Sequence, residues 1–138
     1  MSPEDLLFTK EHEWLRVAGG TGTIGISDHA QKELGEIVYV ELPPKGKALE
    51  QGKPCGSLES GKWVGRIYAP ISGKVESSNQ ALEDTPELIN ESPYEKGWIC
   101  KIIPSNLQDE LKNLIKGDSL VEFIKSEIAR VKKMGEKK

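Results

Sequence analysis

Cysteine is scarce in this chain, with only Cys55 and Cys100 among 138 residues. The two stand far apart and form neither a CxxC pair nor a Cys/His ligand spacing, so no zinc-site pattern is present. Two buried reduced thiols in strands are expected, with a disulfide or a redox role as the alternatives. Histidine is equally scarce: His12 and His29 form no metal or nucleophile constellation, and no Ser/His/Asp order stands out. With no catalytic constellation, the chain is not expected to be an enzyme. Long apolar runs are missing too; none approaches the ~20 residues that span a bilayer. A basic excess is lacking, since the net charge is -3, which argues against a nucleic-acid binder. The opening stretch MSPEDLLFTKEHEW carries acids and no apolar segment long enough for a secretory signal, so a cytoplasmic location is expected.

What is present fits one domain. A chain of this length can bury roughly 68% of its unfolded surface, and a mean hydropathy of -0.48 suits a water-exposed exterior. Residues 14–17, the glycine-rich GGTG at 19–22 and TIGI at 23–26 read as a hairpin. A short helix follows near 28–34, capped by Ser27 or Asp28 and stopped by Gly35. IVYVEL at 37–42 is rich in β-branched and aromatic residues and ends at Pro43-Pro44, which predicts a strand.

From Gly46 to about Asn79, short strands alternate with glycines, as in a small sandwich or barrel rather than βαβ units. ALEDTPELINESPYEKG is polar, broken by Pro86 and Pro93, and is expected to wrap the surface with a helical turn. Residues 98–103 read as a final strand. Beyond it, Ser105 with Gln108 forms a capping box opening a helix whose face carries Leu107, Leu111, Leu114 and Ile115. Gly117 ends that helix. A second box, Ser119 with Glu122, opens another with Leu120, Ile124, Ile128 and Val131 at helical spacing, and KKMGEKK reads as a frayed tail. The expected architecture is mainly β, with a core over about 6–104 and C-terminal helices over about 105–134, all one domain spanning 1–138.

SLESGKWVGRIYAPISG, residues 57–73, poses the functional question. Residues 55–60 and 64–69 read as strands, so Gly61, Lys62 and Trp63 form a hairpin tip. A lysine on such a rigid mount keeps its amine accessible to a modifying enzyme. Turn lysines are common, however, and the local pattern also fits one that merely meets solvent.

The context resembles the lipoyl- and biotinyl-carrier folds, in which a tip lysine precedes an apolar-Tyr-Ala-Pro-x-x-Gly run. Here IYAPISG follows Lys62, Gly73 stands eleven positions after it and Gly46 sixteen before. A biotin carrier flanks its lysine with methionines, whereas Gly61 and Trp63 flank this one, which favours lipoate. KEHEW, IGISDHAQ, LGEIVYVELP, ES-x-K, IYAPISG, ALEDTPELINESPY and GW, in that order over about residues 6–116, resemble the H protein family of the glycine cleavage system.

That resemblance implies a barrel-sandwich hybrid of two antiparallel sheets carrying covalent lipoate on Lys62. It also implies a relay in which the arm receives an aminomethyl group from glycine decarboxylase and passes it to aminomethyltransferase. Dihydrolipoyl dehydrogenase then reoxidises the dithiol, and a lipoate-protein ligase or lipoyl transferase attaches the arm. Family members shelter the arm in a cleft lined by the glutamate of the His-Glu-Trp motif, matched here by Glu13. Glu59 and Ser60 match the motif before the lysine. A monomer is expected.

Two features depart from the family pattern. The lysine is flanked by Gly61 and Trp63 where an apolar residue and an alanine are usual. Trp63 suits a partner surface or folds onto its own sheet. Arg66 stands where an acid is usual, four positions after the lysine. One charge pair at ~4 Å is worth roughly 1 kcal/mol in water and ~4 kcal/mol at an effective dielectric near 20, so the reversal bears on the cargo. An arginine beside the arm favours anionic cargo, and some relatives resemble carriers for a heterodisulfide-reductase-like system of sulfur oxidation. A lipoyl carrier in glycine cleavage, a carrier of sulfur intermediates and a non-lipoylated interaction module are the three readings that stand.

Overall fold

The computed structural model describes residues 6–10, 12–61 and 63–116. The described residues form two antiparallel sheets with four short helices around them. The larger sheet begins with β1 (Leu7–Phe8), β2 (Glu13–Ala18) and β3 (Thr21–Ile26). The expected hairpin is present, but its turn is shorter than GGTG. Only Gly19 and Gly20 form it, with φ of 59° and 76°, and Ala18 pairs with Thr21. Positive φ at both central residues is what a tight two-residue connection needs to follow the strand twist, so Thr21 and Gly22 are released to the ladder.

Helix α1 (Asp28–Leu34) is the short helix expected. Of the two candidate caps, Ser27 takes the role: its Oγ accepts from the Ala30 amide at 3.1 Å. Gly35, at φ 85°, ends the helix with its amide on the Gln31 carbonyl at 3.0 Å. Next come β4 (Ile37–Glu41), β5 (Ala48–Leu49), β6 (Pro54–Ser60), β7 (Val64–Tyr68) and β8 (Gly73–Ser78). The polar segment supplies two single-turn helices, α2 (Ala81–Asp84) and α3 (Leu88–Glu91), each inserting one fully buried residue, Leu82 and Ile89. β9 (Cys100–Pro104), α4 (Leu107–Leu111) and β10 (Ile115–Lys116) complete the described chain.

The large sheet runs β10-β1-β2-β3-β9-β8-β5 and the small one β4-β6-β7. Between them lies a core that includes Leu15, Ile24, Ile37, Leu58, Ile67 and Ile102, each at most 2% exposed. Each such side chain contributes about 1.5–3 kcal/mol of apolar burial. A satellite of Leu6, Phe8 and Trp14 is covered by Tyr94, Trp98 and Ile115. Both cysteines are buried free thiols within the main core.

The C-terminal expectation needs correction. Asn106, not Ser105, precedes the first turn, without a side-chain cap bond, and the helix stops at Leu111. Ile115 lies in β10, paired with Phe8, instead of on a helical face. A β-branched residue finds more burial beside the Phe8 cluster than in another helical turn, so tertiary packing overrides local periodicity. The second expected helix, after Ser119, lies outside the described residues.

Candidate functional site

The β6–β7 hairpin is the element on which the sequence concentrates. Its ladder reaches Glu59↔Val64. Beyond that pair the Ser60 amide donates to the Trp63 carbonyl at 2.9 Å, and the Trp63 amide donates to Ser60 Oγ at 3.1 Å. The serine hydroxyl thus supports the hairpin closure as a local side-chain turn. In sequence only Gly61 and Lys62 stand between these residues, and Lys62 itself lies outside the described residues. A Cβ built on Gly61 would meet nothing within 4 Å among the described residues, so no other described part of the fold presses on that side of the tip.

The run after the hairpin is fixed from two sides. Gly73 has φ 155°, and a Cβ there would lie 2.1 Å from the Ile103 carbonyl oxygen, so only glycine allows β8 to close on β9. Ser72 is held through its amide and hydroxyl by the Glu110 carboxylate at 2.6 and 2.5 Å. Gln51 adds bonds to the Pro70 and Glu110 carbonyls at 2.9 and 3.0 Å. The loop from β7 to β8 is therefore clamped by α4, which gives the hairpin a stiff base.

Antiparallel pairing places two rows of side chains on the outer face of the small sheet. One row is Tyr39, Glu59 and Val64; the next is Glu41, Ser57 and Arg66. Ser57 donates its hydroxyl to Glu41 at 3.2 Å. Arg66 is therefore an exposed outer-face residue. Trp63 is 61% exposed and Val64 72% exposed, so the tryptophan is presented to solvent and not folded away on its sheet.

Glu13 is elsewhere. It opens β2 in the large sheet, is 1% exposed, and accepts from Thr9 Oγ1 at 2.6 Å and from the Tyr68 amide at 3.3 Å. The second contact joins the two sheets at the end of β7. The structure thus brings Glu59, Ser60, Gly61, Trp63 and Arg66 together on one hairpin and leaves Glu13 in the interior. Beside the preceding residue, His12 has φ 68° and its ring centroid lies 4.8 Å from that of His29.

Sequence reasoning missed Val38 and Tyr39. Both belong to the apolar run read as a strand, yet both are exposed, at 56% and 53%. A register shift between Ile37 and Tyr39 causes this. Strict alternation would turn one of them inward; the bulge turns both outward. A run of four apolar residues carries no mark of such a shift, so no sequence signal could have found it.

Burial pushes the Cys55 thiol up to about 12, with Glu13 adding a smaller push in the same direction. Cys100 is raised too, chiefly by burial and secondly by Cys55. Neither is a nucleophile at neutral pH, since the thiolate is the reactive form. Among the described residues no group of three His, Cys, Asp or Glu could hold a metal ion, and no helix is long and apolar enough to cross a membrane.

A family model described as glycine cleavage H-protein matches residues 6–127. The chain is 51% identical over 124 residues to the probable glycine cleavage system H protein of Thermococcus kodakarensis, covering 89% of this chain and 92% of that protein. It is 50% identical over 122 residues to the glycine cleavage system H protein of Staphylococcus haemolyticus, covering 88% and 96%. The crystal structure of a glycine cleavage system H protein from Mycobacterium marinum aligns with a TM-score of 0.72 at 35% identity, over 75% of this chain and 87% of that one.

Proposed function

Because this chain belongs to the glycine cleavage H-protein family, we propose that it carries a lipoyl arm on Lys62. The protein is a lipoyl-group carrier component of the glycine cleavage system. The observation that supports Lys62 as the attachment point is the hairpin closure. Ser60 and Trp63 bond each other across the two positions that separate them, and the Gly61 side of the tip is open. A tip so fixed and so uncluttered fits an amide-linked chain better than a packed or frayed loop does. Bound there, lipoate supplies a cyclic disulfide able to take up a one-carbon, amine-bearing fragment together with two electrons.

The protein's own residues do the positioning. Ser60 sets the turn, and Gly61 leaves space for a modifying enzyme. The Glu110–Ser72 clamp holds the following loop so that the hairpin projects as one piece. Glu13, the carboxylate that the resemblance sets at the arm's cleft, is buried and held by Thr9 and the Tyr68 amide, so its role in this fold is to brace β2 against β7. Presenting one mount to several enzymes in turn limits the entropy lost at each encounter. The partners are a lipoate-protein ligase or lipoyl transferase, then glycine decarboxylase, aminomethyltransferase and dihydrolipoyl dehydrogenase, met in the cytoplasm by a monomer.

Arg66 was the argument for anionic, sulfur-bearing cargo delivered to a heterodisulfide-reductase-like complex. Its row on the outer face also holds Glu41, so the local field is not of one sign. The similarity to glycine cleavage system H proteins supports the glycine reading over the sulfur one.

Intact mass after co-expression with a lipoate ligase tests the attachment. One lipoyl increment, abolished by Lys62→Arg, is expected; no increment, or one that survives the substitution, removes the assignment. Glycine–bicarbonate exchange with the matching decarboxylase tests the pathway, and a fully lipoylated but inert protein would overturn it.

A further inference from the structure

Four apolar side chains stand in solvent near the β6–β7 hairpin: Val38, Tyr39, Trp63 and Val64, exposed by 56%, 53%, 61% and 72%. They are not scattered. Tyr39 and Val64 share one row across the small sheet with Glu59 between them. Trp63 closes the hairpin beside Val64, and the bulge in β4 adds Val38 to the exposed set. Exposed apolar side chains gathered at one end of a sheet among polar groups point to an interaction site more than the same residues scattered singly would. A bulge that costs a regular ladder pair in order to expose two apolar residues is better understood as a feature serving such a site.

The charges around this patch select among occupants. Glu36, Glu41 and Glu59 are exposed on or beside the small sheet, against Arg66. An apolar centre with a mainly acidic border fits a partner face of apolar side chains bordered by lysine and arginine. Proximity narrows the choice further. Enzymes that react with the far end of a lipoyl arm meet their target at the full reach of the arm. The enzyme that makes the lysyl amide must bring its acyl donor to the ε-amine itself. It therefore has to cover the strand ends that carry Trp63 and Val64.

We propose that Val38, Tyr39, Trp63 and Val64 form the docking surface for the enzyme that acylates Lys62, an enzyme with a basic-bordered apolar face. This rests on the assignment of Lys62 as the attachment point and names the partner served by its surroundings. In the acylation step the lysine nitrogen forms the amide bond to the lipoyl carbonyl. The leaving group departs from that carbonyl, and the nitrogen gives up a proton; no electrons are exchanged. The patch supplies binding for that encounter and no chemistry.

The test uses the unmodified full chain and a lipoate-protein ligase, with initial lipoylation rates measured against carrier concentration. Tyr39→Thr with Val64→Thr keeps a strand-forming residue at each site while removing the apolar surface. An increase in KM of about tenfold, with kcat within twofold, is expected for loss of central interface contacts. Glu59→Lys is expected to raise KM as well. Ile103→Thr, an equally exposed apolar residue on the large sheet, is expected to change neither constant, and urea midpoints confirm that each variant is folded. The same variants, lipoylated to completion, are expected to be reoxidised by dihydrolipoyl dehydrogenase within twofold of the parent rate. An unchanged KM in the double variant overturns the docking surface, and so does an equal loss in lipoylation and reoxidation. Failure of the parent chain to be lipoylated at all, or lipoylation of Lys62→Arg, overturns the underlying lysine assignment instead.

Discussion

The carboxylate of Glu110 accepts from both the amide and the hydroxyl of Ser72, at 2.6 and 2.5 Å. Glu110 is only 8% exposed in a five-residue helix whose Leu107 and Leu111 pack against the main core. Removing one partner leaves the other's buried polar groups without their acceptor. Glu110→Gln is expected to destabilise the fold by about 1–3 kcal/mol, and Glu110→Ala by more. Urea unfolding measures this, and a midpoint equal to the parent would show that the clamp contributes nothing.

Asn90 is a second strut of the same kind. Its Oδ1 accepts from the Ile37 amide at 2.8 Å, and its Nδ2 donates to Gln31 and to the Gly35 carbonyl at 2.9 and 2.8 Å. One side chain thus ties α3 to the end of α1 and the start of β4. Asn90→Asp keeps the shape but replaces the donor with an acceptor facing Gly35. A loss of about 1–3 kcal/mol is expected, together with faster amide exchange at Ile37.

The thiols give a pH prediction whose sign can be worked out. The Cys55 thiol is pushed up to about 12 by burial, while an unfolded chain ionises near 9. Between those values the unfolded state binds fewer protons than the native state, so stability falls as pH rises from about 9 towards 12. Below 9 the effect is absent. Cys55→Ala is expected to make that part of the stability profile less steep, with buried Cys100 keeping its own share of the slope. At pH 8, thiol labelling of the native protein is expected to follow the opening of the fold; fast labelling without denaturant would contradict the burial.

Trp63 is exposed where Trp14 is fully buried. Trp63→Phe is expected to remove the most red-shifted and most acrylamide-accessible part of the emission. It should shift the urea midpoint by no more than a surface substitution does, ~0.5 kcal/mol. A large stability loss would mean that the indole packs on the sheet.

Much of this fold could be read from its sequence wherever local chemistry decides the outcome. Gly19 and Gly20, Ser27 with Gly35, and the Pro43-Pro44 stop each carry their structural consequence with them. The elements that were missed depend on distant partners. β1 and β10 are two residues each; β10 is a strand through its pairing with Leu7 and Phe8, and β1 is held between β10 and β2. Leu114 and Ile115 continue a helical pattern that the sheet edge interrupts. Nothing near Glu110 in sequence announces its bonds to Ser72. At the site, Ser60, Gly61, Trp63 and Arg66 were legible as one hairpin. Tyr39 joined them only through a bulge, which hydrophobic periodicity cannot register.

The pairing of Leu7 with Lys116 has a practical side. The described domain is entered and left at one place, the outer edge of the large sheet. A tether grafted directly onto residue 6 or residue 116 would start from that edge and not from the small sheet that bears the β6–β7 hairpin. Short flexible linkers there could immobilise the protein for successive encounters with soluble enzymes. The same two-residue clasp closes a loop of roughly a hundred residues, which makes it entropically costly to form. Loosening this pairing should open the edge of the large sheet first and leave the hairpin in place, because β6 and β7 pair in the other sheet.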